Sequence, residues 1–218
     1  MSCFLFGAGP LPALPLRPRA GDTVIAVDGG LSHLAACGIA PDLILGDFDS
    51  ATLPVDPSCP TLRFPVRKDE TDMQLAISEG LKRGEKHFLL LGGTGGRFDH
   101  TLANVACLAH LAHLGARGWL FGEDTVMTVL KNDTLALPSA LPLPLPAGSA
   151  AVFALEGDAE GVTLRGFDYE AEGITLRPHI PTGVSNRYLG GEGQITVSRG
   201  LLLVLLPLPS DSSEGEPL

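Results

Sequence analysis

Over the first 130 residues, short apolar runs alternate with longer segments of helical period, and this rhythm restricts the fold more than any other feature of the chain. Runs at 3–6, 23–27, 43–45, 61–64 and 87–91 have strand length, are mostly apolar, and are each closed by Gly, Asp or Pro. A run apolar at nearly every position, not at alternate ones, suits a strand covered on both faces, as in a parallel sheet flanked by helices. Residues 31–37, 71–83 and 99–114 carry the helical segments. Behind them stand Gly38, Gly84 and Gly115, suited to the left-handed residue that commonly ends a helix. In the third segment Leu102, Val105, Leu108, Ala109 and Ala112 are expected to form the apolar stripe. The N-terminal part therefore reads as an α/β domain, a Rossmann-like open parallel sheet.

The composition changes abruptly at 137–146, where Pro138, Pro142, Pro144 and Pro146 forbid helix and favour an extended connector. A first domain at 1–136 and a smaller all-β domain at 147–208 follow from placing the boundary there. In the second part, runs at 150–155, 161–165, 173–176, 194–198 and 201–206 are separated by Gly-rich turns. They read as an antiparallel sandwich or barrel, the last two joined as a hairpin across Arg199 and Gly200. Residues 209–218 have little to bury and are expected to fray.

Charge and cysteines limit the partners. Fifteen Lys and Arg against 25 Asp and Glu give a net charge of −10, which repels a phosphate backbone or an anionic membrane surface. Neither nucleic acid nor membrane is an expected partner, and the longest aliphatic stretch, 201–206, is far short of the roughly 20 residues of a membrane span. Cys3, Cys37, Cys59 and Cys107 are widely spaced with no C-x-x-C pair, so free thiols are expected. The first ten residues have no basic stretch before their apolar run and read as a first strand, not a secretion signal. Together these features point to the cytoplasm.

Several acids stand at the ends of the expected strands. Asp28 follows the second run, Asp47 and Asp49 follow the third, and Asp69 and Asp72 precede the second helix. Ligands of open parallel sheets bind outside the carboxyl ends of the strands, so these positions can converge. In an extended segment, residues two apart project to one side roughly 6–7 Å from each other. Asp47 and Asp49 could thus share a hard cation such as magnesium, which takes oxygen ligands and keeps positions for water or phosphate. A turn or a helix cap is the simpler use of the same Asp-x-Asp.

A second constellation runs from Gly92 to Asn104: four glycines around Thr94, then Arg97, Phe98, Asp99 and His100. A glycine-rich turn opening a helix lets backbone N–H groups approach an anion. Arg97 adds a fixed fork of donors, and Asp99 is the expected helix N-cap. No Gly-Lys-Ser/Thr follows, which excludes a P-loop, and Gly7-Ala8-Gly9 lacks the third glycine of a dinucleotide fingerprint. His110 and His113 have no third ligand near in sequence, and Cys107 reads as a core residue. Ser185 and Asn186 on local grounds make a turn.

Taken in order, Asp28-Gly29-Gly30, Gly46-Asp47-Phe48-Asp49-Ser50, Lys68-Asp69-Glu70-Thr71-Asp72, Gly96-Arg97-Phe98-Asp99-His100 with Asn104, and Val184-Ser185-Asn186 resemble the thiamin pyrophosphokinase family over nearly the whole chain. The resemblance implies transfer of a pyrophosphoryl group from ATP to the thiamin hydroxyl, giving thiamin diphosphate and AMP. It implies magnesium held by Asp47, Asp49 and Asp72, and a proton acceptor among these or Asp99. Arg97 would meet phosphoryl oxygens, and Asp28, Lys68 and Thr71 would frame the nucleotide. It implies Tyr169 as a stacking surface for thiamin with Ser185 and Asn186 as polar contacts, and a homodimer whose thiamin site is shared between subunits.

Two other readings compete. Asp-x-Asp can hold a divalent ion under a sugar nucleotide, as in a metal-dependent glycosyltransferase. A nucleotide-sensing module would keep the pocket and need no acceptor site.

Overall fold

A computed structural model describes residues 1–11, 14–46, 57–65, 69–141 and 143–209. Asp47, Asp49 and Lys68 lie outside the described residues, as do residues 210–218. The chain divides into two compact units, Met1–Gly122 and Glu123–Leu218.

The first unit is a parallel sheet with three helices. Its elements are β1 (Cys3–Phe6), β2 (Thr23–Val27), α1 (Leu31–Cys37), β3 (Leu43–Gly46), β4 (Thr61–Arg63), α2 (Asp72–Lys82), β5 (His87–Leu91), α3 (Phe98–His113) and β6 (Arg117–Phe121). The strands lie in the order β6-β5-β1-β2-β3-β4, every pair parallel. β1, β3 and the last four residues of β2 and β5 are buried, as expected of strands covered on both faces. Gly38, Gly84 and Gly115 take φ of 64°, 85° and 68°, the left-handed stops expected from sequence. From β1 the chain moves outward through β2, β3 and β4, then returns to place β5 on the other side of β1. The carboxyl ends of β1 and β5 therefore flank the switch point where such sheets bind ligands.

Helix α3 buries Leu108 and Ala109 of its expected stripe but leaves Leu102 exposed, and Asn104, Cys107 and Leu111 join the buried face. A polar residue occupies a core position because its amide has a buried partner, described below. Burial pushes the Cys107 thiol up to about 11 and the Cys3 thiol up to about 12, which suits packing, not nucleophilic attack. All four cysteines are free, as expected.

The second unit is all β: β7 (Thr125–Lys131), β8 (Thr134–Leu137), β9 (Gly148–Ala154), β10 (Ala159–Arg165), β11 (Ala171–Leu176), β12 (Asn186–Tyr188), β13 (Gly193–Thr196) and β14 (Leu201–Pro207). One antiparallel set runs β12-β9-β14-β7 and the other β11-β10-β13-β8. Side chains from both sets, among them Val152 and Leu205 of the first and Leu164 and Ile195 of the second, line one small cavity, so the two sets face each other as a sandwich. Tyr188 is fully buried, with its ring centroid 5.6 Å from that of Phe167.

Two expectations fail here. β13 and β14 are not a hairpin: β13 pairs with β8 and β10, and β14 with β7 and β9. β14 is apolar at every position and needs neighbours on both edges, whereas β13 buries Ile195 alone among its four residues. Gly200, at φ 107°, carries the chain from one set to the other, its N–H donating to Asn132 Oδ1 at 2.8 Å. The units also part at Gly122, not at 137–146, because β7 pairs along its whole length with β14. Within the Pro-rich stretch Leu141, Leu143 and Leu145 are buried.

Candidate active site

At the switch point of the first unit the structure opens a cavity of ≈ 430 Å³. Its walls are the loop after β1 (Gly7–Pro10), the end of β2 with Asp28, the start of α2 with Thr71 and Asp72, and the loop from Gly92 to Arg97. His100, Ala103 and Asn104 of α3 complete it. Asp28, Thr71, Asp72 and Arg97, four of the residues singled out by sequence, thus share one cavity.

The two glycine loops meet without room for side chains. Gly7 N–H donates to Leu91 O at 2.7 Å and Gly9 N–H to Gly92 O at 2.8 Å. A Cβ on Gly92 would stand 2.5 Å from the Gly7 carbonyl oxygen, and φ there is 62°. Gly7-Ala8-Gly9 thus has a packing role that its failed fingerprint concealed. Two side chains hold this double loop. Asn104 donates through Nδ2 to Gly93 O at 2.7 Å, and His33 Nε2 lies 2.8 Å from Gly9 O. A carbonyl oxygen only accepts, so His33 carries its proton on Nε2. Nothing in the sequence marks His33, because its partner 24 residues away is a backbone carbonyl, which any residue would offer.

Each acid arrives by its own route. Asp28 has φ 51° and opens a short turn, with Gly46 so close that a Cβ there would stand 3.0 Å from the Asp28 Cα. The end of β3 therefore lies directly beside Asp28; Asp47 and Asp49 lie outside the described residues. Thr71 caps α2, its Oγ1 accepting from Gln74 N–H at 3.2 Å, and so places Asp72 in the first turn at the cavity wall. Among the described residues no three His, Cys, Asp or Glu side chains gather around one point that could hold an ion. Asp28 and Asp72 in the cavity wall offer carboxylate oxygens alone, donors suited to a hard cation such as magnesium.

Asp99 does not cap α3. The N-cap is Arg97, and Asp99 sits in the first turn, outside the cavity wall. Its carboxylate grips Arg97 through a fork, Nη2 to Oδ2 at 2.5 Å and Nε to Oδ1 at 3.2 Å, and accepts the His100 N–H at 3.0 Å. The bonded guanidinium holds the Asp99 carboxyl below the usual carboxylate range, and Asp99 in turn raises the Arg97 pKa.

The second unit has a cavity of its own, of ≈ 440 Å³, whose walls include Tyr169, Ser185 and Asn186, the three residues named for an organic acceptor. Val152, Leu164, Ile174 and Leu176 make its apolar part. Tyr169 is 72% exposed and so is no core aromatic. Asn186 is committed to backbone: Nδ2 donates to Tyr169 O at 2.8 Å, and Oδ1 accepts from Tyr169 N–H at 3.0 Å and Arg187 N–H at 2.8 Å. Its amide fixes the turn that presents Tyr169.

No helix among the described residues is long and apolar enough to cross a membrane.

Comparison with known proteins bears on both units. Residues 19–120 match the family model described as the catalytic domain of thiamin pyrophosphokinase. The chain is 25% identical over 194 residues to the thiamine pyrophosphokinase of Bacillus subtilis (strain 168), covering 83% of this chain and 85% of the relative. Among solved structures, a thiamin pyrophosphokinase from Geobacillus thermodenitrificans superposes with a TM-score of 0.81 at 26% identity, covering 98% of this chain and 99% of that one. The crystal structure of the Bacillus subtilis enzyme superposes with a TM-score of 0.85 at 22% identity, covering 97% of this chain and 100% of that one, a likeness of fold. The matched residues 19–120 contain Asp28, Thr71, Asp72 and Arg97 of the cavity, so the likeness of this chain to the thiamin pyrophosphokinase family falls on the segment that builds most of its wall.

Proposed function

We propose that this chain transfers a pyrophosphoryl group from ATP to the hydroxyl of thiamin, forming thiamin diphosphate and releasing AMP. The observation that carries this reading is the cavity at the ends of β1 and β5. There a glycine loop, an arginine and two acids meet within the segment matched by the family model. Such transfers depend on positioning and charge neutralisation, with attacking and leaving oxygens in line, and call for no covalent nucleophile.

In this reading the loops from Gly7 and Gly92 let the polyphosphate approach backbone closely, and Thr71, Asp28 and Lys68 frame the nucleotide. Arg97, aimed by Asp99, meets phosphoryl oxygens. Asp47, Asp49 and Asp72 would hold magnesium, which when bound neutralises phosphate charge. An acid whose pKa is lowered and whose oxygens grip Arg97 is a poor proton acceptor, so Asp99 acts as the clamp. The thiamin hydroxyl proton then falls to Asp47, Asp49 or Asp72.

Thiamin is assigned to the cavity of the second unit. Its exposed Tyr169 ring offers a face to a cationic heterocycle, with Ser185 in the same wall. Donor and acceptor chemistry thus fall in different units, which accords with a homodimer in which one subunit's acceptor cavity serves the other's phosphate cavity. A cytoplasmic enzyme fits the free thiols.

The test is incubation with thiamin, ATP and magnesium, followed by chromatography for AMP and thiamin diphosphate. Thiamin-dependent AMP is expected. Release of AMP without thiamin diphosphate, or turnover of a sugar nucleotide in its place, overturns the assignment.

A further inference from the structure

We propose that Glu170 selects for the positive charge of the acceptor, an inference that rests on thiamin being the molecule bound in the second unit. Among the residues lining that cavity, Glu170 carries the single formal charge; the others are apolar, hydroxyl or amide side chains, glycine or alanine. It follows the exposed Tyr169 directly in sequence and stands in the same wall. An aromatic face beside a carboxylate is the chemistry that recognises an organic cation: the ring offers its negative face and the acid supplies a full opposite charge.

The carboxylate is held for this use. Glu170 Oε1 accepts the Gly166 N–H at 2.9 Å, closing a turn that Asn186 pins from the other side through Tyr169. Among the described residues no Lys or Arg forms an ion pair with Glu170; the neighbouring Arg165 pairs with Glu172 at 3.7 Å. Stacking alone would accept any flat ring of the right size. The fixed negative charge adds discrimination between a thiazolium and a neutral ring of the same shape.

Glu170→Gln isolates the charge, because glutamine keeps an oxygen for the Gly166 N–H. The full chain is assayed with thiamin and with an analogue whose thiazolium is replaced by a neutral ring, the hydroxyethyl arm retained. Binding of both is measured by calorimetry alongside turnover. In the wild-type chain kcat/KM is expected to favour the cationic acceptor, and the thiamin KM to rise with salt. In Glu170→Gln that preference falls by about two- to fivefold, the strength of an exposed charge pair, while the KM for ATP is unchanged. An equal preference and salt dependence in both proteins overturns the role of Glu170. If the wild-type chain binds thiamin but does not turn it over, the enzymatic reading fails while calorimetry still decides on Glu170. If it binds no thiamin, both fail.

Discussion

Asn104 and Gly93 are joined across the base of the first cavity, the Asn104 amide donating to the Gly93 carbonyl oxygen at 2.7 Å with both residues buried. Through Gly93 the bond reaches Gly92, and through Gly92 the loop after β1. One side chain of α3 thereby sets the backbone that the proposed polyphosphate must approach. Asn104→Leu keeps the branching of the side chain and removes the donor, leaving a buried carbonyl unpaired at a cost of about 1–3 kcal/mol. The expected result is a lower urea midpoint together with a raised KM for ATP and little change in the KM for thiamin. Equal rises in both would mean that Asn104 serves the fold alone.

Gly92 and Gly96 share a left-handed backbone, φ 62° and 59°, but not a setting. A Cβ on Gly92 meets the Gly7 carbonyl oxygen at 2.5 Å, whereas nothing lies within 4 Å of one on Gly96. Gly96→Ala should cost only the backbone strain of an L residue there, about 1–2 kcal/mol. Gly92→Ala adds displacement of the loop after β1 and should cost about 3 kcal/mol or more. Thermal melts of the two variants decide, and similar melting temperatures would refute the interlocking of the two loops.

These positions show what a sequence can and cannot reveal. β1, β3 and β5 were legible because burial on both faces leaves strands apolar nearly throughout, and the helix ends because only glycine takes the left-handed stop cheaply. The meeting of Asp28 and Asp72 at one cavity followed from strand ends in a parallel sheet, whereas Asp69, expected with them, is not in its wall. The buried face of α3 was misjudged because Asn104 reads as polar and finds its partner only in the folded loop. His33 was invisible for the same reason. The supposed hairpin at Arg199 and Gly200 failed because turn chemistry is local, while the neighbours of β14 come from residues 125–131 and 148–154.

The Arg97–Asp99 fork makes a prediction in pH. Asp99 has a lowered pKa because its ionised form is bonded to Arg97. A depressed carboxyl pKa means that the clamp is complete above the ordinary aspartate range and is lost only as pH falls through the lowered value. Acid weakening of activity between pH 5 and 7 should therefore not arise from Asp99. Carbon-detected NMR titration of the Asp99 carboxyl should give a midpoint below the usual 3.8, rising toward it in Arg97→Gln. An unshifted midpoint in the wild-type chain would remove the fork. Asp99→Asn should retain the fold and reduce kcat more than it raises the KM for ATP, because Arg97 stays charged but loses its aim.

Asn186 and Tyr169 carry the corresponding prediction for the second unit. The amide of Asn186 bonds both the N–H and the carbonyl of Tyr169, so it acts on the ring only by fixing the backbone that bears it. Tyr169→Ala removes the stacking face itself, a loss of about 1 kcal/mol at an exposed site, or about fivefold in thiamin KM. Asn186→Ala leaves the ring in place and frees its turn, so the thiamin KM should rise by less than in Tyr169→Ala. The double variant should be little worse than Tyr169→Ala alone, since without the ring there is nothing left to aim. Thiamin and ATP titrations of the three proteins test this, with the KM for ATP expected to stay constant throughout. Additive effects would instead show that Asn186 meets the acceptor directly, and the amide would then have to exchange its backbone bonds for the ligand on binding.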